Sequence, residues 1–142
     1  MNELKCVENL LNALMTFYSV AVIEHYMILL LLTRSKNTES VRDQLLNVVR
    51  DHLDKENRIL SNTSELMECI DEHTMSLINR FAKDVQDGVA LVNDPEFISN
   101  YINDFTIAVK DLTRYILNHT ELLSSIINLL WENVRKYMGD FT

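Results

Sequence analysis

Glycine and proline are almost absent from this chain, whose 142 residues contain two Gly and one Pro. A fold rich in β-strands needs many tight turns, and tight turns draw heavily on these two residues. Long helices joined by a few connections need far fewer of them. Three short polar segments interrupt the chain, at residues 35–39, 61–64 and 92–96. The sequence therefore predicts an all-α fold with four main helices.

Apolar residues between these segments recur every three or four positions, as they do on the buried face of a helix. The predicted helices run from about 3 to 34, 39 to 60, 64 to 91 and 95 to 138. Short connections make consecutive helices antiparallel. Residues 1–142 are thus expected to form a single domain, an up-down-up-down antiparallel four-helix bundle. Its last helix is long and could bend or break near its middle.

Several apolar side chains are expected to line the core of this bundle. In the third helix they follow one another at spacings of four and seven residues, and they are Leu66, Ile70, Leu77, Phe81 and Val85. Val41 in the second helix and Ile102 in the fourth are assigned to inner faces on the same grounds. The apolar run of about 16 residues from Phe17 to Leu32 is shorter than the roughly 20 that a spanning helix needs. It is expected to be a buried helix of the bundle.

The charge and the cysteines of the chain limit which partners it is expected to bind and in which cellular compartment it is expected to occur. The formal net charge of −8 predicts a surface that repels nucleic acid and anionic membranes, so neither is an expected partner. The N-terminus, MNELKCVENL, has no basic region before an apolar run and does not resemble a secretory signal. Cys6 and Cys69 belong to no CxxC motif. They are expected to be reduced thiols of a cytoplasmic protein.

Each predicted helix carries one histidine on its apolar face, and the four are His25, His52, His73 and His119. Counting residues outward from the three connections places the four at similar heights, with a largest mismatch of four residues, about 6 Å of helix rise. A single buried histidine is usually a core residue with its hydrogen bonds satisfied. Four packed in one layer would repel one another when charged and leave ring nitrogens unpaired when neutral. A bound metal ion removes both problems, because neutral imidazole is a common ligand.

Carboxylates close to these histidines extend the predicted site. Glu56 lies four residues after His52, on the same helix face, and so completes an HxxxE element. Glu24, Asp51 and Glu72 each directly precede a histidine and are expected to face the flank of the helix or solvent, although each could orient a ligand. The predicted metal ligands are His25, His52, Glu56, His73 and His119.

One histidine in the first helix, HxxxE in the second and one histidine in each of the last two resemble the pattern of the hemerythrin family. The segment LTRYILNH, which ends at His119, is similar to that family's last-helix ligand segment, with Tyr115 where an aromatic residue is usual. The resemblance implies a four-helix bundle that holds two non-haem irons and binds O₂. It implies that His25 and His52 bind one iron, that His73 and His119 bind the other, and that Glu56 bridges them.

Two positions depart from the family's pattern. Leu77 stands where the family has a second histidine in the third helix, and Ser124 stands where it has a bridging Asp. A complete diiron site would lack one nitrogen and one bridge. The cofactor is therefore expected to be iron in a dinuclear or mononuclear site, with zinc or manganese as alternatives.

Two functions follow from these features. The first is a metal-binding bundle that binds or senses a small diatomic ligand or stores metal. The second is a metal-free structural or interaction protein that binds a partner, or itself as a homodimer, through an apolar face. Trp131 and Tyr137, near the end of the long last helix, could supply such a surface. Whether the chain is an enzyme stays open, because no further acid, base or nucleophile stands out in the sequence.

Overall fold

The computed structural model describes residues 3–34 and 39–139, except for the side chains of residues 34 and 39–42. Most of the first predicted connection, residues 35–38, and the side chain of Val41 lie outside this part of the chain. Within the described ranges every regular element is helical and there is no strand. The elements are α1 (Glu3–Thr16), a π-helical turn (Phe17–Val22), α2 (Ile23–Arg34), α3 (Glu39–Ser61), a 3₁₀ turn (Ser64–Leu66), α4 (Glu72–Asn93), α5 (Pro95–Asn103) and α6 (Phe105–Met138).

The π-helical turn joins α1 and α2 into one continuous helix. Across this turn the backbone N–H of Ile23 donates to the carbonyl of Tyr18, five residues earlier. The segment Glu3–Thr33 is long and apolar enough to span a membrane by length and composition, a test that core helices of soluble proteins also pass. Its inner face packs against α6 and α3, and Leu10, Ala21 and Ile28 on that face are fully buried.

Helix α4 begins at Glu72, eight residues later than the sequence predicted. Residues 64–66 form only a 3₁₀ turn, and the helix starts where Asp71 can cap it. The Asp71 carboxylate accepts hydrogen bonds from the backbone N–H of Thr74 (2.8 Å) and from its hydroxyl (2.7 Å). Such a cap satisfies a helix N–H that otherwise has no partner. The late start displaces every residue of the helix relative to the predicted layer.

The predicted last helix is broken at Asp104, close to its beginning rather than its middle. Asp94 caps α5 by accepting from the N–H of Phe97 (3.0 Å), and Pro95 occupies the first helical position. Asp104 has non-helical backbone angles (φ −139°, ψ 79°), and α6 then runs without interruption to Met138. Ile102, assigned to the inner face from the sequence, is instead 65% exposed, whereas Tyr101 is buried.

The two cysteines form a disulfide, so the prediction of two reduced thiols is wrong. Cys6 of α1 is bonded to Cys69, which lies between the 3₁₀ turn and α4, and the two Cα atoms are 5.3 Å apart. The two residues are 63 positions apart in sequence, so no local motif indicated that they would pair. The bond ties the connection before α4 to the start of α1.

Candidate metal centre

Three histidines and one glutamate converge in the interior of the protein. His25 comes from α2, His52 and Glu56 from α3, and His119 from α6. One ligand atom from each lies within 4.8 Å of those of the other three. None of the four residues is more than 2% exposed. Three imidazoles and a carboxylate arranged in this way could hold a metal ion.

The carboxylate of Glu56 lies at the centre of the group. Its Oε1 is 2.9 Å from Nε2 of His52 and 2.8 Å from Nε2 of His119. Its Oε2 is 3.2 Å from Nε2 of His25. His52 and Glu56 can share this centre because a spacing of four residues places them on one face of α3, one turn apart. All three histidines therefore direct the same ring nitrogen, Nε2, toward the carboxylate.

The outer nitrogen of each histidine, Nδ1, faces an oxygen atom that accepts a hydrogen bond. Nδ1 of His52 lies 3.0 Å from the Glu24 carboxylate, and Nδ1 of His119 contacts the Asp84 carboxylate. Nδ1 of His25 lies 3.0 Å from the Thr120 hydroxyl. That hydroxyl is also 2.7 Å from the carbonyl of Ile116, its neighbour one turn earlier. Since a carbonyl only accepts, the hydroxyl hydrogen points there and the oxygen accepts from His25.

These outer contacts determine which nitrogen of each neutral imidazole carries the proton. Nδ1 donates in all three histidines, so Nε2 presents a lone pair to the interior. Carboxylate–histidine contacts of this kind hold metal-ligating histidines in proteins. Without a metal ion or a second proton on the ring, however, the lone pair of each Nε2 would face the lone pairs of Glu56. Nε2 of His52 shows the conflict directly: it is buried, lies 2.9 Å from Oε1, and has no hydrogen-bond partner there.

The electrostatic environment keeps Glu56 ionised. Burial alone would raise the pKa of this carboxyl, but its close contacts with His119, His25 and His52 outweigh burial and hold the pKa well below its usual range. Burial also opposes the charge on His119, yet its contacts with Asp84 and Glu56 raise its pKa to about 9. The pKa of His25 is lowered, chiefly by burial. At neutral pH the metal-free cluster thus contains a carboxylate facing at least one neutral imidazole.

Glu24 is itself anchored by a lysine. Its second oxygen, Oε1, accepts a hydrogen bond of 2.9 Å from Nζ of Lys55, which lies on α3 between His52 and Glu56. Partial burial acts to raise the pKa of Glu24, but the hydrogen bonds from Lys55 and His52 lower it overall. The carboxylate that orients His52 therefore stays charged and fixed in place.

Aromatic rings enclose His119 on the side of α4. Phe81 stacks on the imidazole with ring centroids 4.7 Å apart, and Tyr115 stacks at 5.2 Å. The Tyr115 hydroxyl donates to the backbone carbonyl of Asp84 (2.7 Å). Gly88 leaves room for this ring, because a Cβ at that position would overlap the Tyr115 hydroxyl. The ring planes and the Asp84 contact together fix the orientation of His119.

His73 does not join the cluster, although the sequence placed it in the same layer. It lies in the first turn of α4, exposed to solvent. Asp84, the residue of α4 that reaches His119, lies 11 positions later, about 16 Å along a helix. The height count assumed that helices extend directly from the second and third connections. Instead, α4 begins only at Glu72, and the separate helix α5 lies between the third connection and α6. The structure therefore brings together four of the five predicted ligands, all except His73.

The carboxylates that flank histidines in the sequence have different roles in the structure. Asp51 and Glu72 are exposed. Glu24 does orient a histidine of the cluster, but that histidine is His52 on the neighbouring helix rather than adjacent His25. Asp84 and Thr120 were not predicted at all. Asp84 immediately precedes a core residue, Val85, just as Glu24 precedes His25, and this shared pattern was the only available signal.

Comparison with known proteins gives no family assignment. No family model, no curated protein and no solved structure matches this chain.

Proposed function

We propose that this chain is a hemerythrin-like protein that binds a non-haem metal ion through Nε2 of His25, His52 and His119 and the carboxylate of Glu56. The observation that carries the proposal is the common direction of the three imidazoles. Each donates through Nδ1 to an outer oxygen, and each aims Nε2 at Glu56. A cation at their centre would accept three lone pairs and neutralise the buried carboxylate.

The donor set favours one ion over two. The nitrogen–oxygen separations of 2.8–3.2 Å are similar to those between neighbouring ligands of an ion that binds nitrogen and oxygen at about 2.0–2.2 Å. The family's diiron arrangement needs further ligands from the third helix. There, Phe81 stacks on His119, and Asp84 contacts its outer nitrogen. We therefore propose a mononuclear site, with iron as the first candidate and zinc or manganese as the next, since imidazole and carboxylate accept all three.

Burial of the site restricts what else it could bind. Iron and manganese take up to six ligands, so the four protein ligands would leave a coordination position for an additional small molecule, whereas four ligands complete a tetrahedral zinc site. Because none of the ligands is more than 2% exposed, a bound molecule would have to be small, such as O₂ or nitric oxide. We propose that the protein binds or senses such a diatomic ligand, or stores the metal.

The proposal includes an up-down-up-down arrangement of four long helices, with α1 and α2 together as the first. Contacts at one end of the molecule support it. Cys6, 19 residues before His25, is bonded to Cys69 next to the start of α4. Lys136, 17 residues after His119, pairs with Asp71 at that same start (2.8 Å). The first helix and α4 therefore run away from this end, whereas α6 runs toward it.

Metal analysis of protein purified without an affinity tag tests the proposal. We expect about one equivalent of metal per chain after incubation with Fe²⁺, Mn²⁺ or Zn²⁺ and removal of excess. His119→Ala and Glu56→Ala should each lose the metal, because each removes one of four ligands. Absorption and paramagnetic resonance spectra of the iron-loaded protein, recorded with and without nitric oxide, would then show whether a coordination position is open.

His73→Ala is the matched control, because it removes a histidine that the structure places outside the cluster. It should retain the full equivalent of metal. Loss of metal in this variant would favour the five-ligand set predicted from the sequence. A wild-type protein that binds none of the three ions at micromolar concentration would overturn the proposal and favour a metal-free interaction protein.

A further inference from the structure

The outer face of the first helix carries a stripe of exposed apolar side chains. We call it the outer stripe, and its members are Leu11, Met15, Tyr18, Ile23, Tyr26 and Leu30. Each is between 40% and 65% exposed. Successive members are separated by four, three, five, three and four residues. Leu4 and Met27 of the same helix are also exposed but do not belong to this regular spacing. Steps of three and four alternate along the seam of two helices packed side by side.

The single step of five coincides with the π-helical turn. Tyr18 and Ile23 are the two residues joined by the backbone hydrogen bond that spans five positions. A π turn adds one residue to a helical turn, so these two side chains stack along the axis as residues four apart do in an α-helix. The extra residue thus keeps Ile23, Tyr26 and Leu30 in phase with Leu11 and Met15. Without it, Ile23, Tyr26 and Leu30 would lie on a different face of the helix from Leu11 and Met15.

Charge is absent along the surface that carries the stripe. Glu24 is the only charged residue between Glu8 and Arg34, and it faces Lys55 and His52. The neighbouring hydroxyls of Thr16 and Ser19 donate to carbonyls four residues earlier, at 2.9 and 2.7 Å. Their hydrogen bonds would survive contact with an apolar partner. Elsewhere the surface bears the net charge of −8.

We propose that the outer stripe is the contact surface of a homodimer in which two copies of the first helix pack antiparallel. The spacing of the stripe reads the same in both directions. An antiparallel pair therefore places Leu11 opposite Leu30, Met15 opposite Tyr26 and Tyr18 opposite Ile23 of the second copy, around a two-fold axis at the π turn. Two acidic chains repel each other least where neither carries charge.

The size of the stripe also fits a dimer. Its six side chains expose on the order of 700 Å² per protomer, close to the roughly 800 Å² that each partner contributes to a stable protein interface. A membrane surface fits less well. Helices that lie on membranes carry Lys or Arg beside their apolar face, and the stripe has no cation between Lys5 and Arg34. This proposal does not depend on whether the interior binds metal.

Sedimentation velocity on the 142-residue chain, at concentrations from below one micromolar to tens of micromolar, tests the dimer. We expect twice the mass of one chain at the upper end. Met15→Glu should weaken association by at least about a hundredfold, because it buries a carboxylate beside the partner's Tyr26. Met67→Glu is the matched control, since Met67 is 54% exposed but lies outside the stripe. It should dimerise like the wild type, and circular dichroism should show both variants folded.

Spin labels distinguish the antiparallel arrangement from a parallel one. Labels at Ser19→Cys lie near the proposed axis and should be close together. Labels at Asn12→Cys should be about 25 Å apart along the helices, because position 12 faces position 29 of the other copy. Short distances at both positions would overturn the antiparallel pairing. A monomer at all concentrations, a dimer that Met15→Glu leaves intact, or a monomer that floats with phosphatidylcholine vesicles would each overturn the proposal.

Discussion

Two buried polar clusters in this protein differ in how their hydrogen bonds are satisfied. In one, the Asn133 side-chain nitrogen donates to the Thr74 hydroxyl (2.9 Å) and to the carbonyl of Leu129 (2.8 Å), and Thr74 donates onward to Asp71. Each of these donors meets an acceptor. In the other, His119, whose pKa is raised to about 9, can donate through Nε2 to Glu56 at neutral pH. The buried Nε2 of His52, by contrast, lies 2.9 Å from Oε1 of Glu56 without a hydrogen-bond partner. The first cluster satisfies its donors within the protein, whereas the second brings together buried nitrogen and oxygen atoms that could hold a metal ion.

Among changes that keep all four proposed metal ligands, removing an outer carboxylate should lower metal affinity the most. Asp84→Ala deletes the acceptor for Nδ1 of His119, which frees the ring to rotate and makes Nε2 less basic. We expect metal affinity to fall by about 10- to 100-fold, measured by competition with a chelator. Asp87→Ala, one turn further along α4 and paired only with exposed Lys83, should leave affinity unchanged. If both variants lost metal affinity to the same extent, the loss would be explained by the removal of a negative charge and not by the contact with His119.

Gly88→Ala should disturb the same histidine through its aromatic neighbour. The added methyl group would overlap the Tyr115 hydroxyl and displace the ring that stacks on His119. Overpacking of this kind costs about 1–3 kcal/mol in the free energy of unfolding, and the metal should bind more weakly. Gly139→Ala meets no atom within 4 Å and serves as the control. A Gly88→Ala protein as stable as the wild type would show that Tyr115 can move at little cost.

The Thr74–Asn133 cluster should respond to mutation in stability alone. Thr74→Val removes the hydroxyl that accepts from Asn133, and the loss of a buried hydrogen bond costs about 1–2 kcal/mol. Denaturant unfolding would measure that cost, and metal content should stay at the wild-type level. If Thr74→Val also lowered metal affinity, the two clusters would be coupled rather than independent.

The smallest expected effect is a pH-dependent one at the start of α4. Hydrogen bonds from Lys136 and Thr74 lower the pKa of Asp71 below its ordinary value of 3.8. A lowered carboxyl pKa stabilises the folded state above the unfolded pKa, and this contribution disappears as pH falls through the folded pKa. Asp71→Asn keeps a side-chain oxygen that can cap the helix but removes the charge. It should therefore cost about 1 kcal/mol or less at pH 7, mostly as lost attraction to Lys136 and to the helix N-terminus. Melting curves of the two proteins should converge as the pH falls below about 4. A difference that is the same at every pH would show that the charge of Asp71 contributes nothing.

The four converging residues could be predicted from the sequence because each lies on the apolar face of its own helix. His25, His52, Glu56 and His119 needed only helical periodicity and the HxxxE spacing to be selected. His73 shows where that reasoning failed. Its placement depended on the first residue of α4 and on an uninterrupted helix after the third connection. The Asp71 cap, the segment bonded through Cys69 and the break at Asp104 change both, and periodicity reveals none of them.

The outer contacts were harder to predict, because they join residues on different helices. Asp84 lies 35 positions before His119, and Glu24 lies 28 before His52. To predict these pairs, one must know how neighbouring helices are rotated relative to each other. Packing between the helices determines that rotation, and the apolar pattern of a single helix does not reveal it. The Cys6–Cys69 bond was missed for the same reason. The proposed outer stripe, by contrast, lies within one helix. Its regular spacing was not recognised from the sequence because the π turn makes the step from Tyr18 to Ile23 five residues long.

An anomalous-scattering map of metal-loaded crystals, measured at the absorption edge of the bound ion, tests the central claim most directly. The claim predicts one peak per chain, bonded at about 2.0–2.2 Å to Nε2 of His25, His52 and His119 and to the Glu56 carboxylate. Nδ1 of each histidine should keep its contact with Thr120, Glu24 or Asp84. A peak that includes His73, two peaks in the interior, or a fully loaded crystal with no peak among these four residues would contradict the claim.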